Sequence, residues 1–78
     1  MMRVSIKYCN QWNYLPRAAR MASELLEKYG SHMSGLELIP SGSGVYEVTK
    51  NGNLLFSKKK EGRFPELDEV IELLEKPV

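Results

Sequence analysis

The hydrophobic pattern of the chain changes its period once near the N-terminus, and this change orders the first two elements. Residues 3–8 alternate polar and apolar side chains, which is typical of a strand with one buried face. From about residue 14 to residue 29 the apolar side chains follow helical spacing. The sequence therefore predicts a strand, a short turn that contains the single cysteine, Cys9, and then a helix.

The predicted helix over 14–29 has its own start and stop signals. Asn13 is a typical N-cap residue, and Pro16 is tolerated in a first turn because its missing N–H would have no partner there. Gly30 favours the end of the helix. The apolar stripe that we expect to face a core consists of Ala18, Met21, Ala22, Leu25, Leu26 and Tyr29.

The second half of the sequence predicts three strands and a second helix. Asn51-Gly52 is the strongest short signal for a β-hairpin with a type I′ turn, and it lies between two strand-like runs. Phe64 and Pro65 open the last helical run, with Pro65 near the first turn. The predicted strands are 3–8, 36–39, 45–50 and 53–58, and the predicted helices are 14–29 and 66–75.

This order of elements predicts an α/β fold of the α+β sandwich type in a single domain, residues 1–78. A right-handed crossover makes the first two strands parallel, and the hairpin makes the last two antiparallel. Two amphipathic helices need a sheet to cover. The β-α-β-β-β-α order with a four-stranded mixed sheet and two covering helices is the thioredoxin-like arrangement.

Composition and charge weigh against several classes of function. Eleven basic and ten acidic residues give a formal net charge of +1, which does not favour nucleic acid or an acidic membrane surface. One cysteine cannot form an internal disulfide, which fits a reducing compartment. The N-terminus lacks the apolar core of a signal peptide, and His32 stands alone. We expect a cytoplasmic protein with no metal site and no nucleic-acid or membrane partner.

Several motifs occur together along the chain. They are Tyr8-Cys9-x-x-Trp12-x-Tyr14-x-Pro16-Arg17-Ala18, Val45-Tyr46-Glu47-Val48 with the Asn51-Gly52 turn, Leu55-Phe56-Ser57-Lys58-Lys59, and Gly62-x-Phe64-Pro65. In order and spacing they resemble the selenoprotein W-like (Rdx) family over nearly the whole chain. The resemblance implies a thioredoxin-like fold and a thiol-based redox role in the cytoplasm.

The resemblance also identifies the candidate site residues. The motif of the family is C-x-x-C, or cysteine followed by selenocysteine at the second position. Cys9 matches the first position, and Trp12 replaces the second redox residue. Cys9 is therefore the candidate nucleophile, and the dithiol mechanism of the family is not available to this chain.

Monothiol chemistry remains available to Cys9. A thiolate can attack an external disulfide, and a second molecule can then resolve the mixed disulfide; glutathione or a thiol- or disulfide-bearing protein would be the partner. A following helix, with Lys7 and Arg17, would lower the pKa of the thiol, whereas apolar burial and shielding by Trp12 and Tyr14 would raise it. The alternative is an unreactive cysteine at the edge of the core.

A second function class stays open, in which a degenerate thioredoxin-fold module binds a partner protein through the loop Cys9–Tyr14. Trp12 either fills space near the redox position or contacts a partner. The place where thioredoxins carry a cis-proline is held by Ser43-Gly44. Gly44 there either lets a peptide or glutathione approach closely or belongs to a flexible turn.

The basic run Lys58-Lys59-Lys60, together with Arg63, has two interpretations. It can receive a carboxylate or a phosphate group, or it can form a solvated strand end. No stacked aromatic residues accompany the lysines in the sequence, which argues against nucleic acid.

Overall fold

The computed structural model describes residues 2–77, which form one mixed sheet with helices on it. The elements are β1 Met2–Cys9, α1 Leu15–Tyr29, a 3₁₀ turn Gly30–His32, β2 Met33–Ser41, β3 Tyr46–Lys50, β4 Asn53–Ser57, α2 Lys58–Glu61 and α3 Leu67–Glu75. The strand order is β2-β1-β3-β4. β1 is parallel to β2 and antiparallel to β3, and β3 is antiparallel to β4. The predicted element order and mixed sheet are confirmed.

One apolar cluster joins the sheet to α1 and α3. Alternation in β1 buries Val4, Ile6 and Tyr8 on a single face, which is the face that the helices cover. The core side chains that α1 and α3 contribute to it are Ala18, Met21, Ala22, Leu25, Val70 and Leu74. Each fully buried large apolar side chain contributes about 1.5–3 kcal/mol relative to its exposed form, so this cluster fixes both helices on the sheet.

The start of α1 differs from the prediction. Tyr14, and not Asn13, occupies the N-cap position, and no side chain caps the helix. Asn13 has a positive φ of 59°, so it lies in the turn, where asparagine is tolerated. Leu26 was predicted in the apolar stripe but is exposed, because it lies one position beyond the face that Leu25 buries.

The second strand is longer than the predicted 36–39. It pairs with β1 from Met33 to Ser41, so Pro40 lies within it and not in a turn. β2 is an edge strand, and an edge tolerates a residue that cannot donate a hydrogen bond. Parallel pairing with β1 thus extends a strand whose apolar pattern is short.

The segment after β4 also departs from the prediction. The strand ends at Ser57, and Lys58–Glu61 form α2 where a strand end and a basic connector were predicted. Phe64 and Pro65 precede α3 without belonging to it. The helix begins with a capping box between Glu66 and Glu69, a signal that satisfies two free backbone N–H groups.

No helix within residues 2–77 is long and apolar enough to cross a membrane.

The Asn51-Gly52 turn joins β3 to β4 as predicted. Lys50 pairs with Asn53 across it, and φ is positive at both turn residues, 51° and 85°. Asn51 also ties the turn to β1, since its N–H donates to the carbonyl of Arg3 at 2.8 Å and its Oδ1 accepts from the N–H of Arg3 at 3.0 Å. The turn therefore fixes the hairpin and its place beside β1.

Gly52→Val is expected to lower the free energy of unfolding by roughly 1 kcal/mol or more, because a β-branched residue resists positive φ. A Cβ at Gly52 meets no atom within 4 Å, so the effect comes from the backbone alone. Gly52→Asn is the matched control and should lose less, since asparagine adopts this conformation more readily. Urea unfolding measures both variants, and equal stability of Gly52→Val and the parent chain would contradict the type I′ turn.

Candidate functional site

Cys9 lies at the last position of β1, where two neighbouring segments fix its backbone. Its N–H donates to the carbonyl of Val45 at 2.8 Å, and the N–H of Asn10 donates to the carbonyl of Ser41 at 2.8 Å. The residue is 0% exposed. The end of the strand is therefore held between β2 and the turn before β3, and the thiol is enclosed.

Three backbone N–H groups converge on the sulfur of Cys9. Burial raises the pKa of the thiol, but hydrogen bonds from the N–H groups of Gly44, Gln11 and Trp12, with the charge of Lys59, outweigh burial, so the net pKa lies below its ordinary value. Hydrogen bonds to the charged form of a group favour that form. The site can therefore stabilise a thiolate at Cys9.

The source of this stabilisation differs from the one predicted. The donors are N–H groups of the turns on either side of the sulfur, because α1 begins only at Leu15. The contributing cation is Lys59 and not Lys7 or Arg17. From the sequence, Gln11 was not identified, Gly44 was considered only for the approach of a peptide or glutathione, and Lys59 only as part of a basic run. The sequence does not show which backbone N–H groups or charges lie near the sulfur.

Trp12 is brought next to Cys9 by its backbone, whereas its side chain turns away from the core. The residue is 62% exposed, so Trp12 does not belong to the core. Its indole lies over Gly44, where an added Cβ would come within 2.5 Å of Cζ3. The ring therefore connects the turn after β1 to the turn before β3.

Gly44 has two functions in this arrangement. Ser43 and Gly44 both have positive φ, 59° and 70°, which places the Gly44 N–H within hydrogen-bond reach of the Cys9 sulfur. The absence of a side chain at Gly44 leaves the space that the indole of Trp12 occupies. The close approach predicted at this glycine is thus made by the protein's own side chain. The peptide bonds of residues 2–77 include no cis bond.

A row of aromatic rings continues from Trp12 along the surface. The ring of Trp12 is 6.4 Å from that of Tyr14, and Tyr14 is 4.8 Å from Phe64, both edge to face. Phe64 also packs edge to face on the buried Tyr46 at 5.4 Å. Phe64 is half-buried, and its exposed part belongs to this row.

A thiol that ends the first strand, ahead of a turn and a long helix on a mixed sheet of this order, defines a thioredoxin-like protein. The chain belongs to the Rdx family, whose model matches residues 3–76. The predicted family and the thioredoxin-like fold are therefore confirmed. Membership of this family indicates a role related to thiol redox chemistry.

Solved structures agree with this assignment. A selenoprotein W-related protein from Vibrio cholerae superposes with a TM-score of 0.90 at 30% identity, covering 94% of this chain and 91% of that one. A protein from Bordetella parapertussis superposes with a TM-score of 0.89 at 36% identity, covering 92% and 91%. Migration and invasion enhancer 1 from Bos taurus is 31% identical over 75 residues, which are 94% of this chain; the chain spans 62% of that relative's length.

Trp12→Cys tests whether the turn keeps the geometry of a dithiol site. Because the backbone of residue 12 reaches the Cys9 sulfur, the variant should form an internal disulfide, which needs Cα atoms about 4.4–6.8 Å apart. Mass spectrometry after mild oxidation should then show the loss of two hydrogens. Trp12→Ser is the matched control and should show no such loss. Since Trp12 is exposed, the free energy of unfolding of either reduced variant should stay within about 0.5 kcal/mol of that of the parent chain.

A folded Trp12→Cys protein that never loses two hydrogens would show that the turn cannot close a disulfide.

Proposed function

We propose that the protein is a monothiol redox protein in which Cys9 exchanges with disulfides of other molecules. The observation that carries this proposal is the position of Cys9 at the end of β1 between two turns, whose N–H groups hold the pKa of the thiol below its ordinary value. Thiolates, and not thiols, are the nucleophiles in such reactions.

The exchange proceeds in two balanced steps. The Cys9 thiolate attacks one sulfur of a disulfide, an S–S bond forms to Cys9, and the departing sulfur leaves as a thiolate with the electron pair of the broken bond. Cys9 is oxidised and the departing thiol is reduced. The chain has no second cysteine, so another thiol, for which we propose glutathione, attacks the mixed disulfide and returns Cys9 to its thiolate.

Access to the thiol is part of this proposal. Cys9 is 0% exposed, and the turn of residues 10–13 and the turn at Ser43-Gly44 both donate to its sulfur. A disulfide can reach the sulfur only when one turn moves away. The exposed Trp12 and its contact with Gly44 lie at the junction between the turns, so its movement would open the site.

The alkylation rate of Cys9 should rise with pH through a midpoint below that of an ordinary thiol, about 8.5. The lowered pKa means that the thiolate is already present at lower pH in the folded chain. Iodoacetamide reaction followed from pH 5 to about 10 by mass spectrometry gives the midpoint. The matched control is the same chain unfolded in urea. A midpoint in the folded chain equal to or above that control would contradict the proposed nucleophile.

Oxidised glutathione should convert the protein to a single mixed disulfide at Cys9, and reduced glutathione should reverse it. Cys9→Ser should form no adduct. Mass spectrometry identifies the adduct, and thermal unfolding checks that the serine variant is folded. An adduct on Cys9→Ser would contradict the proposal, because this variant has no thiol. Failure of the parent chain to form the adduct within hours would also overturn it.

A second candidate function is a binding module that contacts a partner protein through the loop Cys9–Tyr14 and catalyses no reaction. The observation that favours it is the contrast between a fully buried Cys9 and a Trp12 that is 62% exposed, since exposed tryptophan is enriched at binding hot spots. The alkylation profile separates the two functions. A binding module does not need a thiolate, so it would show an inaccessible Cys9 with no midpoint below that of the unfolded chain.

A further inference from the structure

We propose that the surface beside Cys9 recognises a partner protein through an acidic segment that carries the partner's disulfide. The inference rests on the proposed exchange at Cys9 and adds the class of substrate. We call this surface the basic-aromatic surface. It consists of Trp12, Tyr14, Arg17, Lys58, Lys59 and Phe64.

Aromatic rings position two cations of this surface. The guanidinium carbon of Arg17 lies 4.0 Å from the centre of the Phe64 ring. The Nζ of Lys58 lies 5.2 Å from that ring and 5.9 Å from the ring of Tyr14. A ring attracts a cation through its quadrupole and has no net charge. The cations are therefore held in place without being neutralised.

None of these cations forms an ion pair within 4.0 Å of a carboxylate in the described part of the chain. The ion pairs among residues 2–77 are Arg20–Glu24 at 4.0 Å and Arg63–Glu69 at 2.7 Å. Burial raises the pKa of Tyr46 to about 12, although Arg17 opposes this, so the hydroxyl stays neutral beside Arg17. The charges of Arg17, Lys58 and Lys59 thus remain available to carboxylates of another molecule.

The basic-aromatic surface reaches the thiol itself. The backbone N–H of Trp12, two residues before Tyr14, and the charge of Lys59 both lower the pKa of the Cys9 thiol. The Trp12, Tyr14 and Phe64 rings then lead away from the sulfur toward Arg17. A molecule that brings its disulfide to Cys9 would place carboxylates on either side of that disulfide near the cations of the basic-aromatic surface.

The dimensions of the surface fit an extended peptide segment. The ring separations of 6.4 and 4.8 Å each exceed the rise of about 3.3 Å per residue in an extended chain, so a segment of about three residues covers the row. Beside it lies an open depression of about 470 Å³ lined by Asn13, Pro16, Arg17 and Arg20, which has room for an acidic side chain.

Peptides with one activated cysteine test this inference. Three peptides of equal length carry a central cysteine joined to 2-thiopyridine and flanked by Glu, Gln or Lys residues. Attack by Cys9 forms a Cys9–peptide disulfide and releases the neutral thiopyridone, whose absorbance gives the rate. The acidic peptide should react on the order of 10-fold faster than the basic one at low ionic strength, and added salt should bring the ratio toward one.

The possible results separate the two proposals. Equal rates for the three peptides at low salt would overturn the acidic specificity while the exchange itself stands. No release from any peptide would overturn the proposed function and this inference together. Glutathione activated in the same way is a fourth substrate, and a rate equal to or above that of the acidic peptide would assign the surface to a small thiol and overturn the inference.

Charge-removing variants locate the preference on the surface. Arg17→Gln and Lys58→Gln should each lower the ratio of acidic to neutral peptide rates by about 1.5- to 5-fold, as expected for single exposed charges. This ratio cancels any change in the thiolate fraction of Cys9. Lys28→Gln is the matched control, because it removes the same charge near the other end of α1. An equal fall in the control would attribute the preference to net charge and overturn the inference.

Discussion

The site depends on one constraint, the fixed end of β1. Hydrogen bonds from the backbone of Cys9 and Asn10 to Val45 and Ser41 place the thiol between two turns whose N–H groups point to it. The turn before β3 lies between two strands that both pair with β1, and the turn of residues 10–13 follows β1 directly. The sheet therefore creates the environment of the sulfur.

Gly44 connects this backbone site to the surface. Its N–H faces the sulfur, and its missing Cβ leaves the space for the indole of Trp12. Trp12 is thereby an exposed group that rests on the site. From Trp12 the aromatic row continues to Phe64, where Arg17 and Lys58 are held. A buried thiol and an exposed binding surface are thus parts of one structure.

Particular elements show where sequence patterns succeed and fail. The hairpin at Asn51-Gly52 was predictable because its conformation is local and excludes most residue types. The length of β2 was not, because pairing with β1 extends it through Pro40. The start of α3 was predicted at residue 66, and the helix begins at Leu67 behind a capping box between Glu66 and Glu69. Arg63 also donates to Glu69 at 2.8 and 2.7 Å, a contact that depends on how the preceding turn folds.

The sequence by itself determined the element order, the mixed sheet, the position of Cys9 at a strand end and the absence of a second thiol. These follow from hydrophobic period, turn chemistry and residue type, which are properties of the chain alone. The tertiary structure decided which groups surround the sulfur. Gln11, Gly44 and Lys59 act on Cys9 through backbone N–H groups and charge across space. Gly44 and Lys59 lie far from Cys9 in sequence, and the effect of Gln11 depends on the conformation of the turn after β1, so only the folded chain specifies these contacts.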